Sequence, residues 1–123
     1  MLKLVSFILV SVFLAKCDSN SSKEDPQLSQ PPYDKITDSI HTTPKDAGLY
    51  YRRGTALYSN GEMTLAEKDL RTAWKLDPKE QYALRLTTIL KQTNTDKAIS
   101  FLQEALKKYP TSLSLNILLA RGK

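Results

Sequence analysis

The 123-residue sequence predicts an all-α fold of stacked helical hairpins, with two full hairpins and half a hairpin at each end. The first observation is that Pro44, Pro78 and Pro110 recur at nearly equal intervals, the second interval being slightly shorter than the first. A repeat period of about 34 residues is typical of stacked helical hairpins. The second observation is that apolar residues after Pro31 recur at helical spacing, whereas Val, Ile and Thr form no alternating runs that would indicate strands.

The first residues of the chain are typical of a secretion signal. A short basic start precedes an apolar run that extends from Leu4 to Leu14. A helix that spans a membrane needs about 20 apolar residues, whereas the core of a signal peptide needs about 7–15. We therefore predict that residues 1–16 are a signal peptide rather than an N-terminal core helix, because the run has no polar face.

The end of this run carries a possible lipid attachment site. The residues Leu14-Ala15-Lys16-Cys17 resemble a bacterial lipobox, in which cleavage occurs before a cysteine that is then acylated. Cys17 is the only cysteine, so it cannot form an internal disulfide, and acylation would explain its position. The motif usually has Gly, Ala or Ser where this chain has Lys16. The resemblance implies a palmitate-bearing lipoprotein of the bacterial cell envelope, in the inner or the outer membrane; a secreted protein or an unprocessed anchor is the alternative.

A polar segment follows the cysteine. Residues 18–30 contain a single apolar side chain, Leu28. Burial of one apolar side chain cannot offset the conformational entropy that this segment would lose if it folded. We therefore predict that residues 17–30 form the lipidated cysteine and a flexible tether.

The helical region begins with a single helix at residues 31–44. Tyr33, Ile36 and Ile40 form one apolar stripe, and two prolines precede them in positions that suit a first helical turn. This segment is predicted to be the N-terminal half hairpin.

The first full hairpin is predicted at residues 45–78. A cap of the type Thr-x-x-Asp begins at Thr43, and the Asn-Gly pair at 60–61 ends the first helix. A capping box that begins at Thr64 opens the second helix, which runs to about Leu76.

The second full hairpin is predicted at residues 79–110. A third capping box begins at Asp77 and opens its first helix, and the polar run at 92–96 ends that helix. Residues 111–123 are predicted to be the C-terminal half hairpin.

Apolar and small residues recur at fixed offsets in both hairpins. In the first hairpin they are Tyr50, Gly54, Leu57, Ala66, Leu70, Ala73 and Pro78, and in the second they are Ala98, Leu102, Ala105 and Pro110. This pattern resembles the tetratricopeptide repeat, whose signature is W-x2-L-G-x2-Y, then A-x3-F, then P. The resemblance assigns these residues to helix packing, with Leu84 at the tryptophan position and Thr88 at the small position of the second hairpin.

One departure from the signature suggests an ion pair. Arg53 stands where the family usually has Leu, and residues 50–54 resemble a subclass of the family that reads Y-Y-x-R-G. That subclass often has Asp at the position of Asp69. We therefore expect Arg53 and Asp69 to pair across the first hairpin.

The same resemblance implies a concave face that binds a protein or peptide partner. Carried over by position, this face consists of Tyr51, Arg52, Thr55, Tyr58, Tyr82, Arg85 and Ile89. Tyrosine and arginine are common interface anchors. Members that bind chaperones hold a terminal carboxylate with a Lys/Asn clamp, and this chain has Tyr51 and Thr55 there, so that activity is not carried over.

The sequence carries no pattern that indicates enzymatic chemistry. The single histidine, His41, has no neighbouring residues at metal-ligand spacing, and no phosphate-binding loop or nucleophile motif is present. The net charge of +5 falls to +3 without residues 1–16 and is spread along the chain, which gives no reason to expect a nucleic acid partner. We expect no catalytic residue, metal or cofactor.

These expectations combine into a lipid-anchored module that mediates contacts between envelope proteins. The alternatives are a fragment of a longer repeat lipoprotein with little binding of its own, or a secreted soluble adaptor. The last helix carries Leu113, Leu115, Ile117, Leu118 and Leu119. Because repeat arrays normally close with a polar cap, we expect either that the chain is a shortened relative of a longer repeat protein or that this helix docks on a partner or on a second copy of the chain.

Overall fold

A computed structural model describes residues 23–122, which form six α-helices and one short 3-10 helix, with no strand in that range. The predicted signal peptide, Cys17 and the first part of the predicted tether lie outside the described residues. Within them, no helix is both long and apolar enough to cross a membrane. The helices are α1 (Asp34–Thr42), α2 (Ala47–Ser59), α3 (Met63–Leu76), α4 (Glu80–Thr93), α5 (Thr95–Lys108) and α6 (Leu113–Gly122).

Each helix packs against the one before it, and α2 also contacts α4. Short turns join the helices, which makes sequence neighbours antiparallel. The fold class predicted from the sequence, an all-α array of helical hairpins, is therefore confirmed. The two hairpins are α2 with α3 and α4 with α5, and α1 and α6 lie at the two ends.

The helices approach closely where small residues face the neighbouring helix. A Cβ atom on Gly54 of α2 would lie 2.2 Å from Leu70 Cδ2 on α3, which is far inside van der Waals contact. The small residues of α3 and α5 that share this role are at most 1% exposed; they are Ala66, Ala73, Ala98 and Ala105. Leu57, Leu70 and Leu102 fill the space between them and are equally buried.

Two of the proline carbonyls accept hydrogen bonds from tyrosine hydroxyls. Tyr50 donates to the carbonyl of Pro44 over 2.8 Å, and Tyr109 donates to the carbonyl of Pro78 over 2.6 Å. The proline period therefore marks the turns at which each hairpin meets its neighbour.

The capping residues differ from the predicted ones. The N-terminus of α2 is capped by Asp46, whose carboxylate accepts from Gly48 N, while the Thr43 hydroxyl donates back to Ser39 O at the end of α1. The box predicted at Thr64 is wrong, because the turn at Gly61 (φ 80°) lets α3 begin already at Met63.

The box predicted at Asp77 is also wrong. The backbone N–H of Asp77 bonds to Ala73 O and closes α3, so Lys79 becomes the residue that precedes α4. By contrast, the polar run at 92–96 supplies a true cap, because the side chain of Asn94 accepts from Lys97 N over 3.0 Å.

The predicted tether contains ordered structure near the fold. Residues Pro26–Ser29 form the 3-10 helix, and Leu28 is only 4% exposed. The hydroxyl of Thr37 on α1 donates to the carbonyl of Leu28 over 2.7 Å. The prediction of a flexible tether is therefore wrong for residues 24–30, because the one apolar side chain of this segment finds a place in the core.

The register of α4 is shifted by one residue from the predicted one. The helix α2 begins at the third residue after Pro44, whereas α4 begins at the second residue after Pro78. Consequently Thr87, not Thr88, occupies the fully buried small position, and Leu84 is only half-buried. The buried positions Arg53, Gly54 and Leu57 of α2 recur at one constant offset on α4, as Leu86, Thr87 and Leu90.

The last helix is only partly covered. Leu115 is fully buried, but Leu113 is 73% exposed and Ile117 is 42% exposed. These apolar side chains are available to a further contact, and self-association through α6 stays a prediction.

Candidate partner-binding groove and the buried arginine

A groove runs between α2 and α4, which are the first helices of the two hairpins. Its volume is about 250 Å³, and it is lined by Tyr51, Gln81, Leu84, Arg85 and Thr88. Four of these five side chains come from α4. They point toward the groove because α4 begins one residue closer to its proline than α2 does, which rotates the helix. The lining contains one cation and no acid, so the groove is slightly electropositive.

Tyr51 is held in place by an aromatic neighbour. Its ring centroid lies 4.9 Å from that of Tyr82, with an angle of 33° between the planes. Tyr82 is 2% exposed and packs near Ala47 and Ala73. Aromatic pairs at this separation are attractive beyond the area they bury. The buried Tyr82 therefore fixes the half-buried Tyr51 at the rim of the groove.

Arg85 is held by Tyr58, which lies further along α2. The guanidinium carbon of Arg85 lies 5.7 Å from the Tyr58 ring centroid, within the range of a cation–π contact. The Tyr58 hydroxyl accepts a hydrogen bond of 2.8 Å from Gln92 Nε2 at the end of α4. These contacts limit the conformations of both side chains before any partner binds.

The structure corrects part of the predicted concave face. Tyr82 is 2% exposed and Ile89 is fully buried, so both belong to the core and cannot contact a partner. Arg52 is exposed on α2 and does not line the groove, and Thr55 is half-buried, with a hydroxyl that has no hydrogen-bond partner among the residues described. Tyr51 and Arg85 line the groove, and Tyr58 supports it.

Gln81, Leu84 and Thr88 line the groove but are absent from the predicted face. Sequence reasoning missed them because it assumed the same distance from the proline to the helix in both hairpins. The signal that could have found them is local: the turn after Pro78 is one residue shorter than the turn after Pro44.

A second polar cluster lies inside the first hairpin. Arg53 Nε donates to Asp69 Oδ2 over 2.8 Å, and Arg53 Nη2 donates to Asp69 Oδ1 over 2.9 Å. Arg53 and Asp69 are 4% and 3% exposed. The ion pair that the sequence predicts between these residues is therefore confirmed, and it has the bidentate geometry that favours arginine.

The remaining donors of Arg53 reach outside the hairpin. Its Nη1 atom donates to Glu24 Oε1 over 2.9 Å and to the Thr37 hydroxyl over 3.0 Å. The other oxygen of Glu24 lies 2.7 Å from His41 Nε2, in the last turn of α1. His41 is exposed and pairs with this carboxylate.

This cluster also alters the ionisation of its members. Burial alone would raise the pKa of Glu24, but the hydrogen bonds and charges of His41 and Arg53 outweigh it and leave that pKa below its ordinary value. Burial alone would lower the pKa of Arg53. The hydrogen bonds and charges of Asp69 and Glu24 outweigh this effect and raise the pKa of the guanidinium. Burial raises the pKa of Tyr50, which faces the same cluster. The carboxylates thus stabilise a cation that would otherwise be costly to bury.

The described part of the chain contains no group of three His, Cys, Asp or Glu side chains able to hold a metal ion. The acidic side chains of the Arg53 cluster are engaged by Arg53 and His41.

Residues 83–112 match the family model of the tetratricopeptide repeat. The matched stretch covers most of α4, all of α5 and the turn before α6. A comparison with curated proteins finds no match. The match supports a tetratricopeptide repeat in the second hairpin, whereas the sequence resemblance was most complete in the first. Tetratricopeptide repeats generally mediate contacts between proteins and are generally non-catalytic.

Proposed function

We propose that this protein is a lipid-anchored module of the bacterial cell envelope that holds a partner protein in the groove between α2 and α4. The observation that carries this proposal is the placement of Tyr51 and Arg85 together in the lining of that groove. Both are residue types that dominate binding energy at interfaces, and both are positioned by neighbours in the free protein.

The chemistry of the groove lining suits contact with a protein segment. Leu84 supplies an apolar surface, while Gln81 and Thr88 supply hydrogen-bonding groups. A segment that presents an apolar side chain next to an acidic one would satisfy Leu84 and Arg85 together.

The anchoring part of the proposal rests on the sequence of residues 14–17. An acylated Cys17 would hold the folded helices at a membrane surface. Within the described residues, which begin at 23, Glu24 already contacts Arg53, so the linker from an acylated Cys17 to this contact would be short. At about 3.3–3.6 Å per residue its reach is at most roughly 25 Å. Such a linker keeps the groove close to the membrane, which suits a scaffold for envelope proteins.

The groove can be tested by site-specific photo-crosslinking in the full chain. A photoreactive amino acid at Thr88 lies in the groove, and the same amino acid at Gln103, exposed on α5, serves as the matched control. We expect a discrete protein adduct from position 88 and a much weaker one from position 103. The double substitution Tyr51→Ala and Arg85→Ala should remove the adduct without changing the helical circular dichroism signal.

Two results would overturn the groove assignment. Equal adducts at both positions would show non-specific contact, and an adduct at position 88 that persists in the double variant would show that Tyr51 and Arg85 do not carry the binding. Absence of any adduct would favour the alternative of a repeat fragment with little binding of its own.

Lipid anchoring is tested separately by mass spectrometry of the mature protein. We expect a cleaved chain that starts at Cys17 and carries acyl groups, and a Cys17→Ser variant that loses them and leaves the detergent phase. A Lys16→Gly variant should be processed at least as well as the wild type. An unmodified Cys17 in a released protein would instead support the secreted adaptor.

A further inference from the structure

A second cavity lies between α1, α2 and α3 and shares no lining residue with the α2–α4 groove. Its volume is about 390 Å³. Leu28, Ile40 and Leu65 form apolar walls, and Arg53, His41 and Lys68 contribute basic groups. A cavity with apolar walls and several cationic groups has the chemistry to hold an organic anion.

One of the residues that line the cavity is a carboxylate that neutralises its most deeply buried cation. Glu24 bonds to Arg53 Nη1 through one oxygen, over 2.9 Å, and lies 2.7 Å from His41 Nε2 through the other. The two side chains differ in burial: Arg53 is 5% exposed, whereas Glu24 is 33% exposed. A buried cation is thus neutralised from the surface by a group within reach of solvent.

Within the described residues, Glu24 is held by its side chain, while the rest of its segment has separate attachments to the fold. The segment is held to the core by Leu28, and the 3-10 helix is capped by Asp25, so both attachments lie after Glu24 in the chain. Within the described residues, the backbone of Glu24 makes no hydrogen bond to other backbone groups. By contrast, the Asp69 side chain is 5% exposed and is fixed within α3, so it cannot withdraw in the same way.

Withdrawal of Glu24 would leave an unbalanced charge. The lining would then hold the cations Arg53 and Lys68 beside His41, while the one remaining acid, Asp69, is already engaged by two bonds to Arg53. The Nη1 atom of Arg53 would keep only the neutral hydroxyl of Thr37 as acceptor. Removing one carboxylate from a buried cation is costly, so an anion from another molecule would be strongly favoured there.

We propose that this cavity is a binding site for a carboxylate of a partner protein, and that Glu24, which lines it, takes the position on Arg53 Nη1 as an internal competing ligand. The carboxylate is either a chain terminus or an acidic side chain, next to an apolar residue that fits between Ile40 and Leu65. The site goes beyond the α2–α4 groove and does not depend on it. Binding would release the segment that leads to residue 23 and so lengthen the linker of the folded domain.

The expected change in affinity follows from competition between Glu24 and the external carboxylate for Arg53. The apparent affinity of the free site is reduced by the fraction of molecules in which Glu24 has withdrawn. An internal ligand on a short linker acts at an effective concentration of the order of millimolar. Removal of the Glu24 carboxylate should therefore tighten binding of a weak external carboxylate by about tenfold or more.

The experiment compares the full chain with its Glu24→Ala variant in a nonionic detergent, titrated by calorimetry and by NMR. Three short peptides serve as probes: one ends in leucine with a free carboxylate, one is its amide, and one carries an internal glutamate beside leucine. We expect the variant to bind at least one carboxylate peptide about tenfold more tightly than the wild type. The amide should not bind. The Arg53 Nε–H resonance should shift on binding, and the two carboxylate peptides distinguish a chain terminus from a side chain.

Asp38→Ala is the matched control, since it removes an exposed acid from α1 that does not contact Arg53. It should bind the peptides as weakly as the wild type. If Glu24→Ala loses its helical signal, Glu24→Gln replaces it, because glutamine keeps the size and removes the charge. The proposal is wrong if the variant binds no tighter than the wild type, if the amide binds equally well, or if Arg53 Nε–H does not respond.

Discussion

The guanidinium of Arg53 on α2 and the carboxylate of Asp69 on α3 form two parallel hydrogen bonds, 2.8 and 2.9 Å long, inside the first hairpin. Arg53 also reaches Glu24 and Thr37, so one side chain joins α2, α3, α1 and the segment before α1. The pair is therefore a junction on which the N-terminal half of the fold depends.

This junction makes the two partners strongly interdependent. Asp69→Leu should destabilise the protein by about 3 kcal/mol or more, because it leaves a buried cation with one fewer carboxylate. Arg53→Leu should cost a similar amount. The loss of stability in the double variant should be smaller than the added losses of the two single variants by at least about 1 kcal/mol, measured by urea unfolding.

The exposed pair Arg71–Glu67 on α3 is the matched control for this double-mutant cycle. Its atoms are also 2.9 Å apart, but the Arg71 side chain is 45% exposed. Its coupling energy should be at most about 0.5 kcal/mol. Independent effects of Arg53 and Asp69 would refute the junction.

Gly54 should not tolerate a methyl group. Alanine improves helix propensity by about 0.8–1.0 kcal/mol over glycine, but its Cβ would lie 2.2 Å from Leu70 Cδ2 and 3.1 Å from Asp69 Cβ. Overpacking typically costs about 1–3 kcal/mol, so Gly54→Ala should be net destabilising in a thermal melt. Gly122→Ala meets its nearest atom at an ordinary 3.6 Å and should stay within about 0.5 kcal/mol of wild type. Equal melting temperatures for the two variants would contradict this packing.

The contribution of Glu24 to stability should depend on acidic pH. Its pKa is lower in the folded protein, so the unfolded state binds more protons over the acidic range. The stabilisation is therefore complete above the unfolded pKa and is lost as pH falls through the folded pKa. The difference in unfolding free energy between wild type and Glu24→Gln should have its full size well above the ordinary carboxyl pKa of 4.5 and should shrink as the pH falls below that value. A difference that does not change over this range would argue against the contact with Arg53 and His41.

The two tyrosine–proline bonds should have similar energies. Tyr109→Phe and Tyr50→Phe each remove one hydroxyl that donates to a proline carbonyl, without changing the ring. Each should cost about 0.5–1.5 kcal/mol in chemical denaturation. An unchanged midpoint for both variants would mean that water replaces these bonds at no cost.

The fold could be predicted from regular patterns between residues that are close together in the sequence. The number and order of the helices follow from apolar spacing and turn residues, which are local properties. The pairing of Arg53 with Asp69 was also accessible, because a repeat with known helix lengths fixes which positions face each other across a hairpin. The residues of the groove could be predicted only in part: Tyr51 and Arg85 line it as expected, but Tyr82 and Ile89 are buried.

The sequence by itself determined the helical hairpins and the ion pair inside the first of them. Only the tertiary structure decided which face of α4 lines the groove, because a turn that is one residue shorter rotates the whole helix by about 100°. It also decided that Glu24 closes over Arg53, although the two lie far apart in the chain. No local pattern encodes that contact; it forms because a buried guanidinium attracts any carboxylate that the fold brings within reach.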